Sequence, residues 1–242
     1  MTQLLISVKN LEEAMIALAA KVDIIDLKDP SRGALGALDL DTTCEIVKQI
    51  NGRSLVSATV GDLHASLDSL VVDIQLRIDI DVDIIKIAVS DLFYQAIFFN
   101  AISQLTKAGV KIVVVFFADE AIDSELLPAL KNAGVYGAML DTKNKHKNLL
   151  QVQSQQALQL FTQQCYEYQL NSGLAGSLQP QHIDQLVRIN PTYIGFRGGA
   201  CNNSQRKSTL DQVKVHEIIS MLRNGNKNRV QGRLILGLAL HT

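Results

Sequence analysis

A lysine stands between two aspartates in DIIDLKDP, residues 23–30, where a short apolar run ends at Pro30. A second lysine, Lys86, sits inside another short apolar run, IIKIAV at 84–89. A third run, GAMLDT at 137–142, closes on Asp141 and leads into the lysine-rich DTKNKHKN. An amine attacks a carbonyl only as the neutral base, and burial or a neighbouring cation makes it hold its proton less tightly. Lys28 and Lys86 sharing one site would act on each other in this way, so at least one of the two should titrate low. Asp26 and Asp141 would hold the remaining ammonium and shuttle protons. The pattern predicts carbonyl chemistry through an imine, as in a class I aldolase, and leaves open which lysine is the nucleophile. The alternative is a structural ion-pair network among the same four residues.

Two glycine-rich segments suggest an anion site. SGLAGSLQP (172–180) and IGFRGGACN (194–202) each follow an apolar run. Glycine lets backbone approach a ligand, and exposed N–H groups attract phosphate. The expected contacts are the N–H groups of Gly176, Ser177, Gly198 and Gly199, with Arg197 adding a charge-assisted bond. Tight turns are the plainer reading of the same glycines. Of Lys143, Lys145 and Lys147, which read first as a solvated loop, one is placed to reach a second phosphate. A metal-dependent reaction would need gathered histidines. His64, His146, His182, His216 and His241 are scattered and read as solvated loop residues. Cys201 lacks a histidine partner and reads as structural. No metal and no cofactor is expected.

These side chains need a scaffold. Eight short runs read as strands: 4–8, 23–28, 54–60, 84–89, 111–118, 137–142, 170–176 and 193–199. They are rich in β-branched residues, as buried parallel strands are. Amphipathic stretches alternate with them. One starts with Asn10 as N-cap and Glu13 three residues on. Others run from Ser90 to Gly109, to Gly134 with Pro128 inside, from Pro180 in a first turn, and to a stop at Gly225. Eight such units predict a single α/β domain over 1–242, a (β/α)8 TIM barrel. A doubly wound open sheet is second, because SVKNLEE after the first run is no nucleotide loop.

Strand side chains alternate with period two, and the helix-facing side must be apolar. Asp26 and Lys28 then point inward, opposite Ile25 and Leu27. Lys86, Asp141 and Arg197 point inward by the same parity, as do Ser57, Thr59, Ser7 and Lys9. Charged residues from five strands thus converge at the C-terminal mouth, where barrel enzymes place their chemistry.

The bulk numbers exclude other classes. Lys+Arg 23 against Asp+Glu 24 gives a net charge of −1, with no basic field for nucleic acid. The three cysteines, Cys44, Cys165 and Cys201, are far apart and predict neither disulfides nor zinc. The longest apolar run is too short to span a membrane, and the N-terminus is no signal peptide. A cytoplasmic, homo-oligomeric protein is expected, with the apolar tail RVQGRLILGLALHT covering the barrel or an oligomer contact.

DLKDPSRGALGA, SATVGDL, IIKIAV, MLDTKNK, SGLAGSL and GFRGGAC resemble, in order and over nearly the whole chain, the (5-formylfuran-3-yl)methyl phosphate synthase family. The resemblance implies a (β/α)8 enzyme that condenses two glyceraldehyde 3-phosphate molecules, losing phosphate and water, to a phosphorylated furfural for methanofuran. It implies a source in a methanogen or a bacterium with methanofuran-type C1 carriers. It assigns Lys28 as the Schiff-base nucleophile and Lys86 as general acid/base, with Asp26, Asp141 and Lys145 in support. It also implies a lysine just before SATVGDL, where Arg53 is the nearest cation. The alternatives are a class I aldolase of another phosphosugar and a non-catalytic phosphometabolite-binding barrel.

Overall fold

In the computed structural model, residues 1–239 are described, with side chains through Gln231. Most of the apolar tail, and His241, lie outside the described side chains. Eight strands are present: β1 (Gln3–Val8), β2 (Ile24–Leu27), β3 (Leu55–Thr59), β4 (Ile84–Ala88), β5 (Lys111–Phe117), β6 (Gly137–Asp141), β7 (Asn171–Leu174) and β8 (Tyr193–Phe196). Each pairs in parallel with its sequence neighbours, and β8 pairs with β1, closing the barrel. The helices are α1 (Leu11–Ala19), α2 (Leu40–Ile50), α3 (Leu67–Ile78), α4 (Phe98–Lys107), α5 (Leu126–Asn132), α6 (Leu149–Val152), α7 (Gln155–Glu167), α8 (Ile183–Ile189) and α9 (Gln212–Ala239). Among the described residues no helix is long and apolar enough to cross a membrane.

Parity divides the core into two layers. Ile25, Leu27, Ile85, Ile87, Ala138 and Leu140 pack outward against helix residues such as Ala14, Ile46 and Ile74. Leu5, Ile24, Ile84, Val113, Met139 and Tyr193 fill the barrel itself. The inner layer also takes in Ala34 and Leu35 from the loop after β2, together with Ala88 and Phe117 at the ends of β4 and β5. Leu35 is fully buried, so this loop plugs one side of the mouth. Asp62 holds it there, accepting the N–H of Ala34 at 3.0 Å and that of Leu35.

Several helix boundaries differ from the expectation. Asn10 does cap α1, accepting the N–H of Glu13 at 3.0 Å. The Glu13 carboxylate, however, takes the N–H of Lys9 at 2.9 Å rather than closing a capping box on Asn10. The segment from Ser90 is a short 3-10 turn, Asp91–Tyr94, separated from α4 by an extended Gln95. Five residues apart on one helix, Phe93 and Phe98 would point well away from each other. The break stacks them instead, with ring centroids 4.1 Å apart. Pro128 falls in the first turn of α5, where its missing N–H is not needed, so the helix starts late rather than bends. Gly225 does not stop α9; a Cβ there would stand 3.4 Å from Val187 of α8, so its smallness serves helix packing. Helices α2, α3 and α7 begin at the caps Asp39, Ser66 and Ser154.

Candidate active site

Register places the floor of the site. Ser7, Asp26 and Ser57 are cross-strand partners on β1, β2 and β3 and share the inward face. Both hydroxyls donate to Asp26, Ser7 to Oδ2 at 2.8 Å and Ser57 to Oδ1 at 2.7 Å. Lys86, paired with Thr59 in the next tier, completes the shell with an ion pair to Asp26 Oδ1. Lys86 is 1% exposed and Asp26 is 0% exposed, so this is a fully dry pair. Burial alone would raise the Asp26 carboxyl, yet the Lys86 and Lys28 ammonium groups hold it below its ordinary range. Burial pulls Lys86 down, Asp26 opposes this, and the charge of Lys28 adds to the fall. The balance leaves Lys86 below its ordinary range.

Lys28 follows the end of β2, two residues above Asp26. Its Nζ lies 3.7 Å from Asp141 Oδ2. The other oxygen, Oδ1, accepts Lys145 Nζ at 2.8 Å and the Thr142 N–H at 2.7 Å. Burial would raise Asp141, but Lys145 and Lys28 overcome it and hold it well below the usual carboxylate range. Burial lowers Lys145 against the pull of Asp141. Lys145 is therefore the member of its loop cluster that reaches the site. Lys143 turns away to Glu120 at 2.6 Å and lies over the Phe117 ring.

A cavity of about 410 Å³ opens on the side of the mouth that Leu35 leaves clear. Asp26, Lys28, Asp141 and Lys145 line it; Lys86 stands behind Asp26 and does not. The cavity is also lined by Gly176 and Ser177, which adjoin Thr142 and Lys145, and by Gly198. Gly176 at φ +110 and Ser177 at φ +48 form two successive residues of left-handed backbone on the cavity wall. A Cβ on Gly176 would lie 2.8 Å from Thr142 Cγ2, so glycine is required there twice over. No protein acceptor takes the N–H of Gly176, Ser177, Gly198 or Gly199. Gly199 does not line the cavity; a Cβ on it would come within 2.4 Å of the Leu178 carbonyl, so it serves close packing of two loops.

Arg197 requires a correction. It is 7% exposed and makes an ion pair with Glu13. Its Nη1 also donates to the Ser7 carbonyl at 3.1 Å, Nη2 to Glu13 at 3.2 Å and the Ser208 carbonyl at 2.9 Å, and Nε to the Arg206 carbonyl at 2.8 Å. All five donors of the guanidinium are taken, leaving none for a phosphate. Arg197 does line the cavity, as expected of an inward residue, but its donors are spent; the cation that sequence reasoning passed over is Arg206, which lines the cavity beside it. The basic pair in NSQRKST, just after the last glycine-rich turn, was the available signal.

The remaining candidates lie elsewhere. Arg53 donates from Nε to the Ile50 carbonyl at 3.0 Å and caps α2 before β3 begins, away from the mouth. His64 is no solvated loop residue, since it is held by Asp73 at 3.1 Å with its side chain only 9% exposed. His146 is exposed but sits on the cavity rim. Cys201 is buried against the Arg197 carbonyl. Among the described residues no three His, Cys, Asp or Glu side chains gather as metal ligands.

A family model described as 4-HFC-P synthase matches residues 4–219. A relative from Methylorubrum extorquens is 38% identical over 224 residues, covering 92% of each chain. The (5-formylfuran-3-yl)methyl phosphate synthase of Methanosarcina acetivorans is 32% identical over 235 residues, covering 90% of this chain and 98% of its own. Among solved structures, 3-hexulose-6-phosphate synthase from Salmonella typhimurium superposes with a TM-score of 0.64 at 15% identity, covering 93% of this chain and 100% of its own. At that identity the likeness speaks for the barrel fold.

Proposed function

The chain belongs to the 4-HFC-P synthase family, and from that premise we propose that it condenses two molecules of glyceraldehyde 3-phosphate into (5-formylfuran-3-yl)methyl phosphate through an imine on Lys28. The names of the family and of its relatives support an enzyme of this type. The observation that carries the chemistry is Lys28 in the cavity wall, held by charge to Asp141, in a cavity also lined by Gly176, Ser177 and Gly198, whose N–H groups meet no acceptor among the described residues. Two triose phosphates, less one phosphoric acid and two waters, account for every atom of the product, so the sum needs neither oxidant nor reductant.

The steps divide among the chain's own residues. Lys28 adds to an aldehyde carbonyl; the oxygen leaves as water and the imine nitrogen becomes an electron sink. Loss of a proton from the adjacent carbon gives the enamine, which expels phosphate from the carbon beside it, the bonding pair leaving on the phosphate oxygen. The terminal carbon so freed, nucleophilic as the enol, forms the new C–C bond to the C2 carbonyl of the second triose phosphate once that triose has isomerised to the ketone, and ring closure with loss of two waters gives the furan. Asp26 faces the cavity and exchanges protons with the substrate, while Lys86 behind it supplies and takes them. Asp141 and Lys145 hold Lys28 in position. The N–H groups of Gly176, Ser177 and Gly198 seat the phosphate of the imine-bound triose.

Purified protein given glyceraldehyde 3-phosphate should develop furan absorbance and release free phosphate. Turnover without phosphate release would identify a plain aldolase, and binding without turnover a non-catalytic barrel.

A further inference from the structure

Five cations surround this cavity or its floor, Lys28, Lys86, Lys145, Arg206 and Lys207, against two carboxylates, Asp26 and Asp141. Arg197 is matched separately by Glu13. Lys28, Lys86 and Lys145 each make an ion pair; among the described residues half-buried Arg206 and exposed Lys207 make none, and Arg206 is the more enclosed of the two. Of its five guanidinium donors the protein takes one, Nη2 to the Gly33 carbonyl at 2.7 Å. The others are free of protein acceptors, on a side chain that lines the cavity. Its placement is built in from both ends. The Arg206 carbonyl is pinned by Arg197 Nε at 2.8 Å, and the guanidinium spans from the loop after β8 to the loop after β2. In formal charges the cavity carries a surplus of three positive charges. The neutral amides of Gly176, Ser177 and Gly198 receive one phosphate by dipoles and leave the guanidinium unused.

We propose that Arg206 is a second phosphate site in the same cavity, one that holds the triose attacked by the enol, so that the protein binds two phosphate esters at once. The planar fork of an arginine suits two phosphate oxygens together, and a partly buried one gives a charge-assisted bond stronger than a surface contact. The inference rests on the proposed condensation for the identity of the second anion, not for its existence.

The test is the full-length chain with Arg206→Ala and Arg206→Lys, first titrated with inorganic phosphate by calorimetry. Two phosphates per wild-type chain and one per Arg206→Ala chain are expected; equal stoichiometry in both overturns the second site. In turnover, Arg206→Ala should raise KM for glyceraldehyde 3-phosphate roughly 10- to 100-fold, as loss of one charge-assisted bond does. Borohydride trapping on Lys28, which needs one triose only, should persist, and millimolar guanidinium should restore part of the lost turnover. Loss of trapping in step with turnover would overturn the assignment, because it would mean that Arg206 merely braces the loop. Arg206→Lys, which keeps the charge, should fall between the two. If wild type binds two phosphates and Arg206→Ala one, yet neither turns over glyceraldehyde 3-phosphate, the second site stands and the proposed reaction fails.

Discussion

Lys28 Nζ stands 3.7 Å from Asp141 Oδ2, beyond hydrogen-bond reach, because Asp141 spends its other oxygen on Lys145 and the Thr142 N–H. Asp141 thus keeps Lys28 close by charge without a direct hydrogen bond to it. Lys86 is bound far more closely to Asp26 and lies out of the cavity. Borohydride reduction in the presence of glyceraldehyde 3-phosphate, followed by peptide mass mapping, should therefore label Lys28. Lys28→Ala should lose both label and turnover. An adduct on Lys86 or Lys145 would overturn the assignment.

Removing Lys86 should act differently. Lys86→Met keeps the cavity wall and should slow turnover by at least the ~10²-fold typical of a lost acid/base, while trapping on Lys28 survives. Single-turnover trapping beside steady-state rates separates the two effects.

The buried pair also bears on stability. Asp26→Leu leaves Lys86 in a dry interior without its carboxylate and should cost about 3–5 kcal/mol. The double variant Asp26→Leu with Lys86→Met should recover most of that loss. Urea unfolding of the four proteins reads this directly, and an additive double variant would count against a closed pair.

Acid should weaken the fold through the same carboxylates. Asp26 and Asp141 both titrate below their ordinary value of 3.8, so the unfolded chain binds protons first as pH falls. Their contribution is complete above pH 3.8 and is lost as pH drops through their folded values. Asp141→Asn should show a flatter loss of stability below that point than wild type. Thermal melts between pH 6 and pH 2 would show it.

Gly198→Val should raise KM for triose phosphate steeply, since Gly198 lines the cavity and a Cβ there already stands 3.2 Å from the Ser204 carbonyl. Unchanged kinetics would remove these amides from the phosphate site.

How far the site could be read beforehand differs residue by residue. Strand parity put Asp26, Lys28, Lys86 and Asp141 inside the barrel, because an outer face packed on helices tolerates no unpaired charge. Parity gives the direction of a side chain, not the partner that claims it. Arg197 follows the end of β8, and the partner that claims it, Glu13, lies 184 residues earlier. No local pattern reveals such a pairing. Arg206 was missed for the same reason, being placed by a loop that Arg197 itself holds. Gly225 looked like a helix stop because composition cannot separate a glycine that ends a helix from one that lets two helices touch.

The Glu13 pairing has a consequence for how the molecule is made. Glu13 accepts from Arg197 and from the Leu210 N–H, 184 and 197 residues downstream. A chain leaving the ribosome therefore carries a buried-to-be carboxylate from its first helix through the synthesis of seven further strands. Closure of the barrel and seating of the loop that presents Arg206 become one late event. A chain truncated after β7 would lack β8 and Arg206, and its first helix would still await its counter-ion.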